Sequence, residues 1–280
     1  MTSKGRVQAY LHLIRPSNFM IAIASIFVAC LLAGGTIDML VPIIAAALAG
    51  GVIGAGGMVI NDLYDIEIDR INKPERPLPA GLISRKSALL TYVLLSVTGI
   101  FFNFFTSTAA LIIALAAVPM IFAYSAYLKR TPLLGNLLVA FLTGLAFLYG
   151  GAAVGRIEAT VMPAVFAFLI NAGREVIKDM EDREGDAQLG ARTLPIVYGM
   201  RTSSIVSTIL LAAVIVATII PYATGMYGIR YYIVVNVGVN AVLLYVLWQL
   251  WRDQSPAKLH RLSVLLKYDM AVGLLAIYLG

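Results

Sequence analysis

Apolar residues fill this chain in long blocks, separated at near-regular intervals by short polar stretches. Blocks of about 17–22 residues, each long enough to cross a bilayer core about 30 Å thick, cover 17–34, 39–60, 87–106, 108–127, 133–151, 159–177, 203–221, 231–250 and 263–279. The pattern predicts nine membrane-spanning helices, the last of them interrupted by Lys267 and Asp269. The expected fold is therefore an all-α polytopic membrane bundle, read as a single domain over 1–280. The first block begins after Arg15-Pro16 and is long enough to span, so no cleavable leader stands out.

Composition agrees. The chain is 60% hydrophobic and 13% charged, and its mean hydropathy of +0.87 lies well outside the range of soluble domains. Charge placement sets an orientation. With the N-terminus and the loops after spans two, four, six and eight on one side, only Arg156 and Arg230 of the 21 Lys and Arg residues fall opposite. The N-terminus is expected in the cytoplasm and, with nine spans, the C-terminus outside. This bias accounts for the formal net charge of +6, so no nucleic-acid partner is inferred. The one cysteine, Cys30, lies inside the first span, which excludes an internal disulfide.

The acids are just as unevenly placed. Asp62, Asp65, Glu67, Asp69 and Glu75 follow span two, and Glu175, Asp179, Glu181, Asp182, Glu184 and Asp186 surround the end of span six. Both groups contain the spacing D-x2-D-x3-D. Four spans separate them, which returns the chain to the same face of the membrane, as a pseudo-repeat of four-helix units would.

At about 100° per residue, Asp65, Asp69 and Asp62 fall about 40°, 80° and 100° from Asn61, whereas Glu67 falls on the opposite side. Taking Glu175 as origin, Asp179, Asp182 and Asp186 lie within about 40° of it, while Glu181 and Glu184 point away. Like charges at i,i+4 repel, and carboxylates near lipid are costly. A charged run at a helix end is ordinarily a solvated loop. Two runs with one spacing and one-sided faces instead argue for bound cations.

Oxygen-only ligands favour Mg2+ over zinc, and Mg2+ shares its coordination with substrate phosphates. The metal shell expected is Asn61, Asp62, Asp65, Asp69, Asp179, Asp182 and Asp186. The interleaved bases Arg70, Lys73, Arg76, Lys178 and Arg192 suit a diphosphate. Arg85, Lys86 and Arg201 read as ordinary cytoplasmic anchors. The segment 73–79 is too proline-rich to continue a helix and is expected to cap the site.

These residues carry a resemblance. Asn61-Asp62-x-x-Asp65-x-x-x-Asp69 running into Asn72-Lys73-Pro74-x-Arg76-Pro77-Leu78-Pro79-x-Gly81 resembles the first signature of the UbiA superfamily of intramembrane prenyltransferases. The second cluster with Gly190-Ala191-Arg192-Thr193-Leu194-Pro195 resembles the second signature. Tyr124 to Arg130 and Arg15-Pro16-x-Asn18 fit as well. Within the superfamily, Arg174-Glu175-x-x-Lys178-Asp179-x-Glu181-Asp182-x-x-Gly185-Asp186, paired with the run 68–74, is most similar to the archaeal digeranylgeranylglyceryl phosphate synthases.

The resemblance implies a Mg2+-dependent transfer, with two ions, of a geranylgeranyl group from its diphosphate to the free hydroxyl of geranylgeranylglyceryl phosphate. It implies catalytic roles for Asp65, Asp69, Asp179 and Asp182. It adds Tyr124, Lys129 and Arg130 to the diphosphate set of Lys73, Arg76, Arg192, Arg70 and Lys178, and it places Arg15 and Asn18 toward the acceptor. The partners expected are an isoprenyl diphosphate, a lipophilic acceptor and the bilayer.

An aromatic acceptor such as 4-hydroxybenzoate or homogentisate is the alternative, since those branches share the metal motifs. A cation-coupled transporter is less consistent, because its acids would sit near the bilayer midplane on broken helices. A phosphatidyltransferase of the CDP-alcohol type would need an Asp-Gly-x2-Ala-Arg element that the chain lacks.

Overall fold

The computed structural model describes residues 3–280, without the side chains of Ser3, Lys4 and Arg6, the last two counted above. Every regular element among the described residues is helical. The helices are α1 (Ser3–Ile14), α2 (Pro16–Leu32), α3 (Leu40–Tyr64), α4 (Ile66–Asn72), α5 (Arg85–Phe102), α6 (Thr108–Ala123), α7 (Leu134–Ala153), α8 (Val161–Gln188), α9 (Leu194–Val197), α10 (Gly199–Ala223), α11 (Ile229–Val234), α12 (Ala241–Arg252) and α13 (Pro256–Leu279). Wide π-turns continue α6 over Tyr124–Leu128 and join α11 to α12 over Val235–Asn240.

Among the described residues, eight helical stretches are long and apolar enough to cross a membrane. A ninth arises if Val7–Ile14 and Pro16–Leu32, bent by 44°, count as one span. The nine apolar blocks map onto these in order. Large side chains such as Ile112, Val216 and Val237 stand exposed on them, the surface expected of a multi-pass membrane protein.

The chain forms two compact units. The first comprises the residues up to Leu128 together with Leu145–Thr160. There α3 packs against α2 and α5, and small residues permit the approach. A Cβ on Gly51 would lie 2.6 Å from the Ile23 side chain, and one on Gly150 would lie 2.5 Å from the Ala29 Cβ. Around them Ile26, Cys30, Ile43, Ala46, Ile53, Ala114 and Tyr149 form a buried core. The Tyr149 hydroxyl donates to Asn103 Oδ1 at 2.9 Å, satisfying two polar groups away from water. Helix starts follow the usual chemistry: Ser84 accepts the Ser87 N–H at 3.1 Å and Ser107 accepts the Ala110 N–H at 3.1 Å.

The second unit comprises Lys129–Gly144 and Val161–Gly280. In it α8 packs against α10 and α13. Gly173 lets the Leu211 side chain close in, and the Ser207 hydroxyl donates to the Gly173 carbonyl at 3.1 Å. Arg174 Nε donates to the Ser263 carbonyl of α13 at 3.0 Å. The predicted interruption at Lys267 and Asp269 does not break α13. Lys267 stands exposed, while Asp269 is buried, with neither carboxylate oxygen hydrogen-bonded among the described residues.

Candidate active site: two aspartate clusters

The first cluster lies in the first unit, where α3 gives way to α4. The backbone departs from helix at Asp65, with φ −96° and ψ 1°. The hydrogen-bond ladder nevertheless continues: Asp65 N donates to Asn61 O at 3.0 Å, Asp69 N to Asp65 O at 2.8 Å and Lys73 N to Asp69 O at 2.8 Å. Asn61, Asp65, Asp69 and Lys73 thus succeed one another at four-residue steps, as the helical reading required. The Asn61 side-chain amide also donates to Asp65 Oδ2 at 3.0 Å. Glu67 takes the other face, where exposed Arg70 and Arg85 each reach it at 2.7 Å. Arg70, expected near a diphosphate, is drawn by its i,i+3 acid onto that outer face.

Asp62 and Asp69 are only 3% and 5% exposed, and buried carboxylates demand counter-charge. Two arginines supply it. Arg76 Nη1 lies 2.7 Å from Asp69 Oδ2 and 3.3 Å from Asp62 Oδ1, and Arg15 Nη2 lies 2.5 Å from the same Asp62 oxygen. The proline-rich loop delivers Arg76. Arg76 N bonds Lys73 O, Ala80 N bonds Arg76 O, and both Leu82 and Ile83 N–H groups bond Pro77 O. Gly81 turns the chain at φ +71°, a conformation open to glycine at little cost.

Arg15 is held differently. It sits at φ 52°, ψ 77° in the α1–α2 bend, a left-handed conformation that costs a non-glycine residue about 1–3 kcal/mol. Its ion pair with Asp62 offsets that cost. A cleft of about 440 Å3 opens beside these groups. His12, Arg15, Asn18, Asp62, Lys73, Glu75 and Arg76 line it.

The second cluster lies in the second unit, on the last turns of α8, which runs unbroken through Gly185 to Gln188. Asp179 Oδ2 accepts the Asn136 amide of α7 at 2.9 Å. Glu175 is bracketed by Arg174 at 2.8 Å and Lys178 at 3.2 Å. Glu181 leaves the aspartate stripe, as its helical position required, and meets His260 Nδ1 at 2.8 Å. Asp182 is exposed and Asp186 half-buried; among the described residues neither forms an ion pair. Exposed Arg192 is tied to Arg130 by its backbone N–H, 3.1 Å from the Arg130 carbonyl. That link brings the segment after the second cluster onto the Lys129-Arg130 pair. Tyr124 starts the π-turn that ends α6, in the first unit.

Among the described residues, no three acids, histidines or cysteines gather tightly enough to hold a metal as they stand. The first cluster shows why. Arg76 occupies the point on which the Asp62 and Asp69 oxygens converge, so a cation already sits between two buried carboxylates. An all-oxygen pair that recruits one positive nitrogen fits a hard divalent ion in its place.

Two residues of this chemistry escaped the sequence reading. Asn136 is separated from Asp179 by 43 positions, and nothing in its own helix flags it. His12 does lie three positions before Arg15 in the sequence, a proximity that pointed to it.

A family model described as the UbiA prenyltransferase family matches residues 22–268. The chain is 39% identical over 271 residues to a digeranylgeranylglyceryl phosphate synthase of Thermococcus kodakarensis, covering 96% of each sequence. The structure resembles a solved one described as giving structural and mechanistic insights into digeranylgeranylglyceryl phosphate synthase in membranes. That match has a TM-score of 0.88 and 33% identity, and covers 98% of each chain. A UbiA homologue from Archaeoglobus fulgidus bound to DMAPP and Mg2+ shares the fold with a TM-score of 0.64 at 20% identity, over 97% of this chain and 99% of that one.

Proposed function

The chain belongs to the UbiA prenyltransferase family, and from that premise we propose that it joins a geranylgeranyl group to the free hydroxyl of geranylgeranylglyceryl phosphate. The observation that carries this is the repeated aspartate triplet, one copy buried against arginines and the other open on α8. It is supported by 39% identity to the Thermococcus kodakarensis synthase over nearly the whole chain.

In the reaction, the bond between the allylic carbon and the diphosphate oxygen breaks, and the diphosphate leaves with the electron pair. An ether bond forms between that carbon and the acceptor oxygen, and the hydroxyl proton is lost to a base. Mg2+ ions, two in this reading, would be held by Asn61, Asp62, Asp65 and Asp69 and by Asp179, Asp182 and Asp186, and when bound they neutralise charge growing on the leaving group.

The chain's own residues supply the rest. Asn136 holds the Asp179 carboxylate in one orientation, which preorganises the second cluster. Lys178, Lys129, Arg130, Arg192 and Arg76 offer charge-assisted donors to phosphate oxygens, with Tyr124 as a hydroxyl donor. The apolar spans provide a dry environment in which an allylic cation escapes capture by water. In this reading Asp65 or Asp69 is the carboxylate that takes the hydroxyl proton. By the distribution of Lys and Arg, the clusters and the N-terminus face the cytoplasm and the C-terminus lies outside.

The test is transfer of labelled geranylgeranyl from its diphosphate, with Mg2+ or EDTA, offering geranylgeranylglyceryl phosphate and 4-hydroxybenzoate in parallel. Mg2+-dependent product from the glyceryl phosphate alone supports the proposal. Product from the aromatic acid alone overturns the acceptor and keeps the family chemistry.

A further inference from the structure

Resting on that acceptor reading, we propose that the cleft beside the α1–α2 bend seats the acceptor's phosphomonoester, with His12 and Lys73 as its direct ligands. Charge is the first reason. Arg15, Lys73 and Arg76 set three positive groups against the two negative groups Asp62 and Glu75 on the cleft wall. The cleft is net positive before His12 is counted.

The second reason is which cations remain for an anion. Arg15 and Arg76 are committed to Asp62 and Asp69. Among the described residues, the His12 and Lys73 side chains have no ion-pair or hydrogen-bond partner, although both face the cleft. The start of α2 adds to this. Pro16 and Ser17 open the helix into the cleft; the Asn18 and Phe19 N–H groups bond the Arg15 carbonyl, which leaves the Ser17 N–H as the first-turn donor for an anion.

The third reason concerns ligand class. The volume of about 440 Å3 suits a small polar headgroup. The flanking helices present Val7, Leu11, Met20 and Ile21 as exposed apolar side chains, a surface that a hydrocarbon tail can follow out of the cleft. A phosphate head with an apolar tail satisfies both features, and free inorganic phosphate satisfies one. Asp62 belongs to the cleft and to the first aspartate cluster alike. A phosphate seated here therefore brings the neighbouring glycerol hydroxyl next to the reacting centre, and the diphosphate of the donor is left to the clusters.

The experiment uses the full-length protein in nanodiscs and its H12Q and K73Q variants. Binding of geranylgeranylglyceryl phosphate is measured without Mg2+ or donor, beside the phosphate-free geranylgeranylglycerol, and steady-state constants are then taken for both substrates. The wild type should prefer the phosphorylated lipid by about tenfold or more, as loss of a charge-assisted hydrogen bond implies. Each variant should forfeit about tenfold of that preference. Acceptor KM should rise in step, with donor KM within about twofold of wild type.

Variants that bind the phosphorylated lipid like the wild type overturn the proposal while the acceptor reading stands. A rise confined to donor KM also overturns it and hands the cleft to the diphosphate. Phosphate-dependent binding lost in both variants, in a protein that does not prenylate the lipid, keeps the cleft and sinks the acceptor reading.

Discussion

Removing Arg76 separates its structural role from any part in the reaction. In R76A, Asp62 keeps Arg15, but Asp69 loses its one ion-pair partner among the described residues, with its side chain only 7% exposed. Breaking a buried ion pair from one side costs about 3–5 kcal/mol. The Arg76 side chain is 22% exposed, so solvent screening lowers the expected loss to about 2–3 kcal/mol. For a chain of this size that corresponds to a fall in Tm of about 5 °C.

The same nitrogen, Nη1, makes both contacts. The site therefore uses Arg76 as a point charge rather than as a fork, and R76K should recover most of the loss. Because the guanidinium stands where two carboxylates converge, Mg2+ should stabilise R76A more than wild type. The assay is thermal unfolding in detergent with EDTA or Mg2+. If R76A melts with wild type in EDTA, or gains no more from Mg2+ than wild type does, the account of this site is wrong.

Other expectations follow from neighbouring geometry. Asp182 and Asp186 lack ion-pair partners and repel each other along the stripe, so D182N and D186N should leave Tm within about 1 °C of wild type or raise it slightly. Each should still lower kcat by about 100-fold or more, if the stripe holds metal. N136A should cost about 1 kcal/mol by unpairing Asp179 and raise the donor KM, read in the same transfer assay. G150A forces a methyl to within 2.5 Å of the Ala29 Cβ, and overpacking of that kind should cost about 1–3 kcal/mol in Tm measurements, with N136A as the contrasting polar case.

Much of the architecture was legible because bilayer thickness fixes helix length. Nine apolar blocks became eight helical stretches and one bent pair, with ends displaced by up to about ten residues where polar turns continue a helix beyond the apolar run, as on α8. The site was legible to the extent that helical periodicity governs it. Glu67 and Glu181 went to the faces their positions dictated, and the step of four carried the first cluster across the break at Asp65. What the periodicity could not carry is contact made through space. Arg76 was read as a phosphate ligand from its place in the motif, and that reading carried no sign that the same side chain pairs with Asp62 and Asp69. Asn136 was missed because its partner Asp179 lies on another element, and an isolated polar residue in an apolar helix has no spacing to betray it, whereas His12 was passed over although it lies three positions before Arg15.

The length of α8 has one more consequence. Its 28 residues span about 42 Å, against a hydrocarbon core of about 30 Å, so roughly the last eight residues, Asp182 and Asp186 among them, stand beyond the oily layer. In the proposed reaction, diphosphate released at that level would meet water at once, whereas a product bearing two prenyl chains would diffuse sideways into the membrane. The two products part into different phases, and their recombination requires both to return across that boundary to the same helix end. The overhang would thus lend the proposed synthesis a direction that bond energies alone do not give it.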